Sequence, residues 1–394
     1  MRDSLRIGIV GSRFAASFHM KCYARLGQGA ARVCGVYSET PGNRDAFAET
    51  FGIGSFGSFE ELLGSVDVVD VCAPGYVHEE YAVKAACAGK HVIVEKPFTG
   101  YFGPPGAGSD WRGDTFSKET MLLGAMESAR RMVRAARDHD VKLCYAENWV
   151  YAPSIQKEVE ILRATGGQIL WIQGEESHSG SHSPAYGIWQ KAGGGSLVGK
   201  GCHPLTAALY LKRVEGEARD GRPLRPVSVS ARTHDLTRNA AYRDERRLRT
   251  DYRDVEDFCQ VHVVFEDGYV ADILSTEIVM GGVHNWLEVF ANNHRMRCNI
   301  NPTDACVLYN PEEKQLEDVY VVEKIGTKQG WSFPSPDEDW MTGYPQELAD
   351  FVDAIREDKE PQSGAGLAID TVATMYAAYC SAEKRGAEVE IPAE

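Results

Sequence analysis

Residues 5–26 read LRIGIVGSRFAASFHMKCYARL: six residues rich in Leu, Ile and Val, a glycine, then a helical pattern. A near-continuous apolar run fits a strand covered on both faces, and Gly11 stands where the chain must turn tightly before a helix. The spacing departs from G-x-G-x-x-G, because Arg13 and Ala16 occupy the second and third glycine positions. Ala16 still suits close helix–strand packing, whereas Arg13 blocks the usual backbone approach to a pyrophosphate and offers its guanidinium instead. The strand–turn–helix context predicts a dinucleotide site over Gly11, Ser12, Arg13, Phe14, Ala15 and Ala16.

Outward from this unit the pattern repeats. ARVCGVY (31–37), VDVVDVCAP (66–74), HVIVEKP (91–97) and VKLCYAE (141–147) are further apolar runs, separated by helical stretches such as DAFAETFG, FEELLG and HEEYAVKAACAG. The gaps suit right-handed crossovers, so residues 1–147 are assigned to a doubly wound parallel sheet that binds ligands beyond the carboxyl ends of its strands. Residues 148–394 read differently. RPVSVSARTHDL (225–236), DFCQVHVVFEDGYVADILSTEIVM (257–280), WLEVFANNHRMRCNI (286–300) and ACVLYN (305–310) alternate apolar and polar residues and carry turn signals such as EDG at 266–268. With TAALYLKR and YPQELADFVDAIRE as flanking helices, they predict an α+β domain on a large open antiparallel sheet. AYRDERRLRTDYRD (241–254) reads as a solvated connection. The insertion GYFGPPGAGSDWRGDTFSKET (100–120) reads as a lid, with Phe102 and Trp111 over the substrate, or as a surface or subunit contact.

Bulk properties narrow the function. The 394 residues suffice for two cores, and 43% hydrophobic with 25% charged residues excludes a disordered or fibrous chain. A net charge of −15 repels nucleic acid and anionic lipid, so neither is an expected partner. No apolar run reaches the roughly 18 residues of a membrane span, and the N-terminus enters the first strand without a leader pattern, which gives a cytoplasmic expectation. Ten cysteines without a C-x-x-C pair point to reduced thiols, with neither disulfides nor a metal site expected.

The order IGIVGSRF, VDVVDVCAP, HEEYAVKAACAGKHVIVEKP, GGGSLVGKGCH, GYPQELADFVDAI and SAEKRGAEVEIP resembles the Gfo/Idh/MocA family of glucose–fructose oxidoreductases, inositol dehydrogenases and relatives over essentially the whole chain. The resemblance implies a Rossmann domain, a nicotinamide cofactor, a sugar or polyol substrate, and a homo-oligomer, dimer or tetramer, built through the open sheet. In VIVEKPF (92–98) it implies that Lys96 points between nicotinamide and substrate, aimed by Pro97, which is often cis in relatives. It extends the cofactor site to Ser38, Ala73, Pro74, His78, Glu95, Lys96 and Pro97. Ser38 permits the 2′-phosphate of NADP, as do Arg13 and Arg44, whereas Glu39 repels it, so NAD is favoured.

Hydride removal from a secondary alcohol also needs a base for the hydroxyl proton and a cation for developing alkoxide. His203 fits the base and Lys96 the cation, with repulsion from Lys200 and burial expected to lower the pKa of Lys96. Relatives carry an acid four residues before this histidine, where this chain has Gly199. Around Trp189, a candidate for stacking on a sugar, lie His178, His182, Lys191, Lys200 and His203. That basic cluster predicts an anionic sugar carrying carboxylate, sulfonate or phosphate. The missing acid keeps a second activity in view, an NAD-dependent glycoside hydrolase that oxidises a ring hydroxyl transiently and eliminates the aglycone. A non-catalytic cofactor sensor is the third reading, opposed by the intact EKP and His203.

Overall fold

Apolar strands and intervening helices build the first sheet in the expected order. The computed structural model describes residues 4–27, 29–180, 183–301 and 305–393. Its first half runs β1 (Leu5–Val10), α1 (Phe14–Leu26), β2 (Ala31–Tyr37), α2 (Pro41–Phe51), β3 (Gly54–Ser55), α3 (Phe59–Ser65), β4 (Val68–Val71), α4 (His78–Cys87), β5 (His91–Glu95), α5 (Lys118–Asp138) and β6 (Leu143–Ala146). The strands are parallel in the order β3-β2-β1-β4-β5-β6, the doubly wound Rossmann arrangement. Ile7, Ile9, Val68, Val69 and Val92 to Val94 are fully buried, as strands covered on both faces require.

The second half contains α6 (Pro153–Thr165), β7 (Ile169–Ser177), α7 (Trp189–Ala192), α8 (Cys202–Asp220), β8 (Pro226–His234), β9 (Phe258–Phe265), β10 (Val270–Thr276), β11 (His284–Ala291) and β12 (Arg295–Asn299). A small hairpin of β13 (Leu308–Asn310) and β14 (Gly330–Ser332) follows, then α9 (Glu338–Met341), α10 (Tyr344–Glu357), α11 (Ala365–Glu383) and β15 (Val389–Glu390). The sheet order is β12-β11-β7-β10-β9-β8-β15. It is mixed rather than purely antiparallel, because β7 pairs parallel with β10 from Trp171↔Val270 to Ser177↔Thr276. β7 is absent from the sequence expectation, since ILWIQGEES does not alternate cleanly. From the C-terminal part α10 packs on α1 and α11 on α5, and the Tyr145 amide donates to the Ser363 carbonyl at 2.9 Å, covering the edge strand β6.

The insertion is a strap, not a lid. Asp254, fully buried, accepts the Gly113 amide at 2.8 Å and the Trp189 amide at 2.9 Å, while Arg253 donates to the Ser109 and Trp111 carbonyls. Buried Asp254 and Tyr252 also mean that the end of the charged connection is pinned into the protein rather than solvated. No helix among the described residues is long and apolar enough to cross a membrane.

Candidate active site

A cleft of about 710 Å³ opens along the carboxyl ends of β1, β2, β4 and β5 and reaches the end of β7. At its dinucleotide end Gly11 has φ 108°, and a Cβ there would lie 2.7 Å from the Cys72 carbonyl oxygen, so only glycine makes this turn without strain. The following helix has no side-chain cap at Arg13 and no acid in its first turn, so its N-terminal end carries a polarity that suits an anion. Gly11, Ser12, Arg13, Phe14 and Ala15 line this end, with Ser38, Glu39 and Asn43 beside them and Ala73, Pro74, Glu95, Lys96 and Pro97 farther along. These groups fit a dinucleotide phosphate, ribose and nicotinamide in sequence.

Three cofactor expectations change. Ala16 does not reach the cleft but packs in the core with Ile9 and Val36 beneath α1. His78 is wholly buried, its ring nitrogens 2.9 Å from the Pro97 carbonyl and 2.7 Å from that of Ala73, so it braces the two strand ends instead of touching cofactor. Arg44 does not line the cleft, because its Nε bonds Asp45 and Ser55, both at 2.9 Å. Glu39 does line it, accepting the Tyr81 hydroxyl at 3.3 Å.

At the other end stands the EKP turn, whose Lys96–Pro97 bond is cis. The Lys96 amide donates to Glu95 Oε2 at 2.8 Å, and Glu95 Oε1 lies 3.1 Å from His19 Nε2, which in turn meets Asp70 at 2.8 Å through Nδ1. Burial opposes protonation of His19, but Asp70 and Cys72 outweigh it and hold the pKa well above the usual value. The Lys96 ammonium donates to the Gly199 carbonyl at 2.9 Å, within the wide π-helical turn Leu197–Gly201, and lies 6.0 Å from the Tyr186 ring centroid. Its pKa is raised, not lowered. Burial disfavours its charge, yet Tyr186, Cys202, Glu176 and Glu95 together outweigh burial and favour the ammonium form.

His203 opens α8 and stacks on Trp149 with ring centroids 6.0 Å apart. Its Nδ1 lies 2.5 Å from Glu147 Oε1, and its Nε2 faces Glu176 Oε2 at 3.9 Å. Both acids escaped the sequence reading. Glu147 immediately follows β6, at the sheet edge where ligand-facing groups are expected, so its position was a usable signal; Glu176 sits near the end of the unrecognised β7. Two trios, Glu147–Cys202–His203 and His19–Asp70–Cys72, bring potential metal-ligand atoms within 4.8 Å of one another. In each trio a histidine nitrogen already meets a carboxylate at hydrogen-bond distance.

The expected basic cluster comes apart. Lys200 is buried outside the cleft lining and paired with Glu277, because an ammonium in that interior needs a counter-charge; burial lowers its pKa, with Glu277 opposing. Trp189 is 2% exposed, packed against Tyr379 and donating its indole N–H to the Tyr101 carbonyl, so it is a core residue and not a sugar platform. Phe102 and Trp111 do not line the cleft either. His178 lines the cleft, but burial and the nearby Lys200 and Lys324 hold its pKa far down, leaving it neutral. Lys191 stands exposed at the rim, and His182 lies outside the described residues. Lys324, not anticipated, lines the same wall and donates to the Gly180 carbonyl at 2.7 Å.

Residues 5–102 match the family model described as oxidoreductase family, NAD-binding Rossmann fold, and residues 163–297 match the GFO/IDH/MocA C-terminal domain. The chain belongs to the GFO/IDH/MocA oxidoreductase family, a family of sugar-related dehydrogenases that use a nicotinamide cofactor. It is 23% identical over 348 residues to levoglucosan dehydrogenase of Pseudarthrobacter phenanthrenivorans, covering 84% of this chain and 79% of that one. It is 26% identical to D-glucoside 3-dehydrogenase of Escherichia coli over 52% of this chain and 54% of the relative. The crystal structure of GenD2 from gentamicin A biosynthesis in complex with NAD superposes with a TM-score of 0.79 at 23% identity, covering 100% of this chain and 98% of that one.

Proposed function

We propose that the protein is an NAD-dependent dehydrogenase acting on a secondary hydroxyl of a neutral sugar or sugar glycoside. The observation that carries this reading is the convergence of Lys96 and His203 on one cleft that begins at the dinucleotide turn. The nicotinamide, when bound, supplies the hydride acceptor. Lys96, fixed to the Gly199 carbonyl through one N–H, has two more to hold the reacting oxygen as charge develops. His203 donates its Nδ1–H to Glu147, which leaves Nε2 as the acceptor for the hydroxyl proton. Neutrality of the substrate is supported by the neutral His178, the paired Lys200, and the carboxylates of Glu176 and Glu323 on the same walls. NAD over NADP is supported by Glu39 in the cleft and by the engagement of Arg44 elsewhere.

Ten free thiols, seven of them buried, favour a reducing compartment and hence the cytoplasm. Leu170 and the stacked Trp171 and Phe290 on the second sheet favour a homo-oligomer through that sheet, which light scattering checks. The test of the activity is a panel of neutral sugars, their aryl glycosides and the matching uronates, incubated with NAD while NADH and released aglycone are followed. Net NADH with a neutral sugar is the expected result. Aglycone release without net NADH establishes the hydrolase instead, preference for uronates restores the anionic substrate, and absence of both signals refutes catalysis on sugars.

A further inference from the structure

We infer that Glu176 replaces the acid missing at position 199, and that its carboxylate binds the sugar hydroxyl adjacent to the one being oxidised. The assignment rests on the dehydrogenase reading and adds the substrate feature it requires, a free hydroxyl on the carbon next to the reacting one.

Three observations carry it. A Cβ built on Gly199 would lie 3.4 and 3.6 Å from the Tyr186 ring, so a side chain there would project onto Tyr186, which lines the cleft beside Lys96. Those are ordinary van der Waals distances, so the missing side chain would stand beside Tyr186 at the cleft wall, and in this chain a carboxylate on that cleft comes from another element. Glu176 supplies it: the residue is 7% exposed and lines the cleft, and its Oε2 has no hydrogen-bond partner among the described residues. The mount is rigid, because β7 is an interior strand and Glu176 stands in register with Ser275 of β10 and Asn285 of β11.

A buried carboxylate oxygen without a donor is costly unless something fills the role. At 3.9 Å, His203 Nε2 is beyond hydrogen-bond distance from that oxygen. A diol answers both needs at once. Its reacting hydroxyl lies between the Lys96 ammonium and His203 Nε2, and its neighbour donates to Glu176 Oε2. Burial, with Glu147 adding to it, holds the Glu176 carboxyl above its usual range, against the opposing pull of His203, Lys96 and Lys200.

Glu176→Gln keeps the shape and removes the charge. NAD affinity and melting temperature, measured first, report whether the variant folds and loads. The best sugar of the panel and its analogue lacking the neighbouring hydroxyl are then compared on both proteins, by turnover and by calorimetric binding to the NADH-loaded form. Wild type should lose roughly 10- to 150-fold on the deoxy analogue, and the variant should lose as much on the parent sugar while hardly distinguishing the two. A variant within threefold of wild type on the parent sugar, or with the same deoxy penalty, overturns the assignment of Glu176 and leaves the dehydrogenase reading standing. A wild-type protein that neither turns over nor binds any sugar overturns both.

Discussion

Glu147→Gln isolates the group behind His203. The carboxylate is wholly buried and 2.5 Å from Nδ1, so the substitution preserves packing while removing one negative charge beside the imidazole. A hydrogen bond to a charged partner contributes about 1.5–3 kcal/mol, which is roughly 10- to 150-fold in rate if it is gained as His203 takes the proton. The amide adds a second effect. Its NH₂ can donate to Nδ1, placing the ring proton on Nε2 and blocking the acceptor, so the total fall in kcat is expected at about 10²- to 10⁴-fold. Glu147 acts through His203 and touches no reacting atom, so KM for the sugar and Kd for NAD should stay near wild type. Glu147→Asp should recover part of the rate. Steady-state kinetics on the best panel sugar, with calorimetry for NAD, reads all of these. Turnover within threefold of wild type, or a loss confined to KM, refutes the positioning role.

Three other outcomes follow from the same geometry. Lys96→Met removes the cation but keeps the stem, so kcat should fall about 10²- to 10³-fold with NAD still bound, and normal turnover would reduce EKP to a structural turn. Glu39→Gln deletes the charge at the ribose end and should shift the ratio of NADP to NAD affinity about tenfold toward NADP, measured by calorimetry; an unchanged ratio removes Glu39 from cofactor choice. Asp254→Ala leaves the buried amides of Gly113 and Trp189 without their acceptor, at about 1–3 kcal/mol each, and urea unfolding should show the summed loss unless the strap contributes nothing.

The first sheet was legible because a parallel strand covered on both faces is written as an unbroken apolar run; LRIGIV and ARVCGVY coincide with β1 and β2 to the residue. The helix FAASFHMKCYARL likewise matches α1, its start set by Gly11. β7 was not legible. It is an interior strand whose C-terminal half, QGEES, is polar because it reaches the cleft, and that usefulness disguises it as a loop. The side-chain cluster between 176 and 203 misled for a related reason: proximity in sequence says nothing about which wall a side chain leaves by. Lys200 follows Gly199, whose carbonyl holds Lys96, yet its own ammonium goes to Glu277. The sequence also could not show that Tyr186, Cys202 and Glu176, all distant along the chain, would join the neighbouring Glu95 around Lys96 and raise its pKa against the depression expected from burial.

The site has a further property that neither half of the chain possesses alone. Lys96 directly follows β5 of the first sheet, but its ammonium is fixed by the Gly199 carbonyl from the turn before α8. His203 belongs to α8, but its ring is fixed by Glu147 at the end of the first sheet. Each of the two proposed catalytic side chains is therefore oriented by the other half, and a rotation between them breaks both contacts together. Asp254 joins the strap of the first half to Trp189 of the second, and α10 and α11 return to pack on α1 and α5, so several independent contacts resist that rotation. Preorganisation of a charged donor and a proton acceptor is worth most when neither must be reoriented as the reaction proceeds. Reciprocal fixation of Lys96 and His203 supplies it, with the two halves docked as one unit around the cleft.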